Sequence, residues 1–101
     1  MTEKDTLRGT GRTTAQMASA PHSAVFVWVG HDTYYPKKLA SKIGREDLKI
    51  VGPDWLTRGW VGMELTGLVI DHAVRLTPFQ RDSVPYAFTR VRPAIKQAEA
   101  L

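Results

Sequence analysis

Cysteine is absent from the 101 residues, which excludes disulfide bridges and thiolate metal sites. No apolar run approaches the roughly 20 residues that a bilayer crossing requires, so no membrane partner is expected. Met1 to Asp5 is polar and lacks the apolar core of a signal peptide, and a cytoplasmic protein is expected. Internal repeats, linkers and low-complexity stretches are also missing, so a single domain over 1–101 is expected, with 1–6 frayed and 94–101 a short helix or tail. Such a chain can bury a modest core. It is short for a complete conventional nucleotide-hydrolysing enzyme.

What is present is ordinary in bulk and more specific in detail. Hydrophobic residues make up 43% and charged residues 24%, values of a folded globular chain that argue against intrinsic disorder. The formal charge of +4 favours anionic partners such as nucleotide, nucleic acid or an acidic protein surface. That excess is spread along the chain, so charge alone is no nucleic-acid signature.

Three short apolar runs read as strands. Ala24 to Val29 is β-branched and aromatic without alternation, the pattern of a strand buried on both faces of a parallel sheet. Leu48 to Val51, stopped by Gly52-Pro53, and Gly67 to Ile70 are the other two. Between the first two, Asp32 or Thr33 can cap a helix with Pro36 in its first turn, Tyr35, Leu39 and Ile43 at helical spacing, and Gly44 as its stop. Thr13 to Ala20 is a further short helix closed by Pro21. Thr77-Pro78 can open a last helix, and Pro85 argues against its running unbroken to Arg92. Strand–helix–strand connections of this length predict right-handed βαβ units. The expected fold is α/β, a small, mainly parallel three-stranded sheet with flanking helices.

Chemistry concentrates in two places. Arg8-Gly9-Thr10-Gly11-Arg12-Thr13-Thr14 is a glycine-rich turn leading into a helix. Glycines let a backbone approach an anion closely, and a helix N-terminus offers unpaired N–H groups to phosphate. Downstream, Leu68-Val69-Ile70 ends in the carboxylate of Asp71. A threonine hydroxyl and an aspartate at a strand end are donors that a phosphate-bound magnesium takes. The plainer alternatives are a threonine-capped turn at Gly9 and Gly11, and an Asp71 that caps the turn after its strand.

The glycine-rich turn resembles a variant Walker A loop of P-loop NTPases, and the stretch from Arg58-Gly59 to Leu68-Val69-Ile70-Asp71-His72-Ala73 resembles the approach to a Walker B strand in helicase-like and phage terminase-like ATPases. The likeness spans about Leu7 to Leu76, and a small phage-encoded member acting in the host cytoplasm would suit the length. It implies that Gly9, Thr10, Gly11, Arg12, Thr13 and Thr14 cradle phosphates, that Thr13 and Asp71 hold magnesium, and that the cofactor is Mg²⁺ with ATP.

Departures from the pattern bear on turnover. Thr6 stands at the first glycine position, and Arg12 brings a planar fork where the motif has lysine. His72 replaces the usual glutamate that positions attacking water. No apolar strand precedes the loop, so the usual first strand is missing or supplied by another element or chain. Binding with weak or absent hydrolysis is the resulting expectation, and no catalytic residue is assigned.

Basic and aromatic residues open two other readings. Tyr34, Tyr35, Lys37, Lys38, Lys42 and Arg45 lie on or beside one predicted helix, and Trp55, Arg58 and Trp60 share a predicted loop. Aromatics that stack bases beside cations that meet phosphates make a single-stranded nucleic-acid surface. Exposed Trp and Arg also make protein-interface hot spots. Lys37, Lys38, Trp55, Arg58 and Trp60 are thus a candidate interaction surface, for single-stranded nucleic acid or for a protein partner of a phage-type modulator with relic P-loop features.

Overall fold

A computed structural model describes residues 11–92 of the chain. Arg8, Gly9 and Thr10 of the glycine-rich turn, and the segments expected to fray at 1–6 and 94–101, lie outside the described residues.

The three apolar runs form one sheet, all parallel: β1 (Val25–Val27), β2 (Lys49–Val51) and β3 (Leu68–Ile70), in the spatial order β2-β1-β3. Phe26 lies opposite Ile50 on one side and Val69 on the other. Each strand is shorter than its apolar run. Val25, Phe26 and Val27 are all buried, as expected for a central strand covered on both faces.

Side-chain alternation divides the interior into two layers. Phe26 and Ile50 face Met17, Ala20, Ala24, Ala40 and Leu48, beneath helices α1 (Arg12–Ser19) and α2 (Tyr34–Lys42). Val25, Val27 and Leu68 face the opposite way, towards Leu56, Leu65 and Ala87, beneath α3 (Trp55–Arg58) and α4 (Pro78–Phe88). Parallel strands must be joined by crossovers, and right-handed crossovers to opposite sides of β1 place helices on both faces.

Local sequence explains the helix limits. The Asp32 carboxylate accepts the Tyr34 N–H at 3.0 Å, and Gly44, at φ 75°, takes the left-handed conformation that ends α2. Thr77 and Gln80 form a reciprocal capping box that starts α4. That helix passes through Pro85 and stops at Phe88. Pro85 is exposed, so water can serve the carbonyl that its missing N–H leaves unbonded. After α4 the chain returns beside Leu65, which pairs in parallel with Val91.

The C-terminal end of α1 is held by one side chain. Arg45 donates to the carbonyls of Met17 at 2.6 Å and Ala20 at 3.0 Å, and pairs with Asp47 at 2.9 Å. A guanidinium there meets unsatisfied carbonyls at the negative end of the helix. Hydrogen bonds from Arg45 first, and then from the Ser23 N–H, hold the Asp47 carboxyl well below the usual carboxylate range. Arg45 belongs to the basic cluster by sequence. Structurally it is withdrawn from that surface.

Candidate functional site

The chain leaves β1 towards β2 and later returns to the far side of β1 as β3. The strand order therefore reverses between β1 and β3. In open parallel sheets, ligands bind outside the carboxyl ends of the strands at such a switch point. Here the Asp71 N–H donates to the Val27 carbonyl at 2.9 Å, placing Asp71 at the carboxyl edge of that crevice.

Helix α1 brings its first turn to the same edge. Gly11 is the N-cap residue with φ 82° and ψ 0° and, as glycine, brings no side chain of its own to cap this end. The Thr13 hydroxyl donates to Asp71 Oδ1 at 2.8 Å, a contact between residues 58 positions apart. Both are buried, Thr13 with 6% and Asp71 with 2% of its surface exposed. Asp71 Oδ2 accepts the Ala73 N–H at 3.1 Å, so the carboxylate also caps the turn after β3. Its two oxygens thus serve both the turn and the first turn of α1.

Gln16 completes the arrangement and has no part in the motif reading. Its Nε2 donates to the Ile70 carbonyl at 3.1 Å, and its Oε1 accepts the His72 N–H at 2.9 Å. One amide thereby grips the backbone on either side of Asp71. Thr13 and Gln16 are three residues apart on one helix face, and that spacing was the signal available in the sequence. His72 Nδ1 lies 3.6 Å from Asp71 Oδ1 and 3.3 Å from Gln16 Oε1.

The donor chemistry suits a hard cation. A hydroxyl and a carboxylate supply oxygen, the ligand atom magnesium takes. Among the described residues no group of three or more His, Cys, Asp or Glu gathers to enclose a metal. A cation at Thr13 and Asp71 would therefore draw most of its shell from water and phosphate oxygens, as magnesium commonly does.

The remaining candidates fall elsewhere. Arg12 is exposed at the start of α1, and Thr14 is half-buried beside it. Trp55 and Arg58 lie on α3 rather than in a loop. Trp55 and Trp60 pack against the core layer around Leu56, and the Trp60 indole N–H donates to the Leu56 carbonyl at 2.7 Å. Lys37, Lys38 and Arg58 are exposed. The Lys38 ammonium sits over the Tyr34 ring at 5.4 Å, and Tyr35 packs against Trp28. Lys37 lines an open groove of about 300 Å³ with Ser41, Glu46 and Ile50.

No protein-family model, curated protein or solved structure matches this chain.

Proposed function

We propose that this chain is a P-loop-like nucleotide-binding protein that holds Mg²⁺ with ATP and hydrolyses it weakly or not at all. One observation carries the reading: the buried 2.8 Å hydrogen bond from Thr13 to Asp71, made at the first turn of a helix and at the switch point of a parallel sheet. Two residues singled out separately as magnesium donors meet at the place where such a sheet takes ligands.

The division of labour follows from the positions. The α1 N-terminus, entered through Gly11, offers backbone N–H groups to phosphate. Thr13 and Asp71 supply the cation's protein-side oxygens, and Gln16 keeps Asp71 in place by holding Ile70 and His72. Magnesium bound there would neutralise charge on the phosphates. Arg12 can pair with phosphate as a planar fork. No carboxylate stands at residue 72 to orient water, which is the reason for expecting little turnover. The phage connection rests on the Walker-like stretches alone.

Calorimetric titration with ATP, with and without magnesium, tests the reading. Binding strengthened by magnesium is expected. Thr13→Val and Asp71→Asn should remove that strengthening, and Arg12→Ala should weaken binding even without magnesium. No binding by the unaltered chain in either condition would overturn the proposal.

A further inference from the structure

In the Trp55–Trp60 segment both tryptophans pack against the core and only Arg58 is exposed. Among the described residues, three of the five exposed Phe and Tyr rings lie on α4. Between Ala73 and Arg92 the chain carries four arginines against a single carboxylate, Asp82; Arg90 lies over the Trp60 ring and Arg92 donates to the Thr89 carbonyl, which leaves Arg75 and Arg81 as the outward cations. Arg75 and Arg81 are exposed, and with Val74 and Leu76 they line an open groove of about 540 Å³. Three rings of α4 face solvent: Phe79 is 68%, Tyr86 64% and Phe88 45% exposed.

Helical geometry orders these groups. Arg81 and Phe88 are seven residues apart and share one border of the exposed face. Phe79 and Tyr86, also seven apart, share the other, with exposed Asp82 and Pro85 between the borders. The buried side of α4, Gln80, Ser83 and Ala87, is turned to the core. Three large rings in solvent-facing positions add little to the core of the free chain, so their exposure marks a surface suited to a partner.

We infer that the Arg75–Arg81 groove and the exposed face of α4 form a binding surface for single-stranded nucleic acid. Arginine forks match phosphate oxygens in pairs, and flat exposed rings stack on unpaired bases whatever their sequence. A duplex hides the faces of its bases, which is why the strand is single. The basic helix α2 is less suited. Arg45, beyond its end, is committed to α1, Lys38 lies on Tyr34, Tyr35 packs on Trp28, and Glu46 faces the groove beside Lys37. This inference is independent of the nucleotide reading, since none of these residues belongs to the Thr13–Asp71 site.

The experiment is fluorescence anisotropy of the full chain with labelled dT20, against a duplex of equal length, over a range of salt. Binding of dT20 that exceeds duplex binding and falls with rising salt is expected. The double variant Arg75→Ala/Arg81→Ala should flatten the log–log salt dependence by about 1.4, or 0.7 for each single-strand phosphate that is no longer neutralised. Phe79→Ala/Tyr86→Ala and Phe88→Ala should each weaken binding by about tenfold or more, the order expected when a base stack is removed. Lys37→Ala/Lys38→Ala should bind as the unaltered chain does, with circular dichroism confirming that every variant folds. The inference is overturned by no binding at low salt, by an arginine variant with unchanged slope, or by loss of binding in the lysine variant alone. It is equally overturned if polyglutamate displaces dT20 at comparable charge concentration, which would assign the surface to acidic proteins.

Discussion

Replacing Thr13 by valine preserves the side chain's shape and removes only its hydroxyl. Among the described residues that hydroxyl is one of two hydrogen-bond donors to Asp71, which is 2% exposed, the other being the Ala73 N–H at 3.1 Å. A hydrogen bond to a charged group contributes about 1.5–3 kcal/mol net, and because Asp71 keeps the Ala73 N–H the loss falls in the lower half of that range. Thr13→Val should therefore destabilise the domain by about 2 kcal/mol. At about 4–8 °C per kcal/mol for a domain of this size, the midpoint of thermal unfolding should drop by roughly 8–16 °C. Thr13→Ser, which keeps the hydroxyl, should recover most of that loss. A double-mutant cycle with Asp71→Ala, followed by thermal and urea unfolding, isolates the pair. Independent sites add within about 0.3–0.5 kcal/mol, so a coupling of about 1.5 kcal/mol or more is expected. Ligand then separates structure from function. Saturating Mg²⁺ with ATP should stabilise the unaltered chain by about 2.7 kcal/mol at a hundredfold excess over its dissociation constant. In Thr13→Val the magnesium-dependent share of that gain should vanish. A coupling below about 0.5 kcal/mol would refute the structural argument, and an undiminished magnesium effect would refute the functional one.

Turnover by the purified chain should stay below about 1 per second, the low end for working enzymes, and phosphate release at or above that rate would show that His72 does not create the gap supposed. Arg45→Ala should cost about 2 kcal/mol by stripping the donors from the Met17 and Ala20 carbonyls, and Arg45→Lys should recover only part because it lacks the fork; equal stability of all three proteins would contradict this. Because the Asp47 carboxyl is held low in the folded state, its contribution is present above the unfolded value near 4 and is lost as pH falls from there through the folded value. Acid unfolding should accordingly be shallower below about pH 4 in Asp47→Asn, and superimposable slopes would contradict the assignment. Gly67→Ala should destabilise by about 1–3 kcal/mol, since its new methyl would lie 2.6 Å from the Pro21 ring, and an unchanged unfolding midpoint would show that the ring yields freely.

The sequence by itself determined the features that a few neighbouring residues control. An apolar run without alternation made Val25–Val27 a central strand, Gly44 ended α2 because only glycine enters the left-handed region without strain, and Thr77 opened α4. The glycine-rich turn and Asp71 were legible as separate candidates for phosphate and metal binding for the same reason. The meeting of Thr13 with Asp71 was not, because it depends on the order β2-β1-β3, which packing on both faces of the sheet selects. The same long-range packing set Trp55 and Trp60 against the layer that holds Val25, Val27 and Ala87, recruited Arg45 to the end of α1, and set Gln16 against the backbone around Asp71. It also left Phe79, Tyr86 and Phe88 in solvent. Residue type and spacing state what a side chain can do. Which of those capacities is used depends on partners 25 to 58 positions away, and only the tertiary structure brings them within reach.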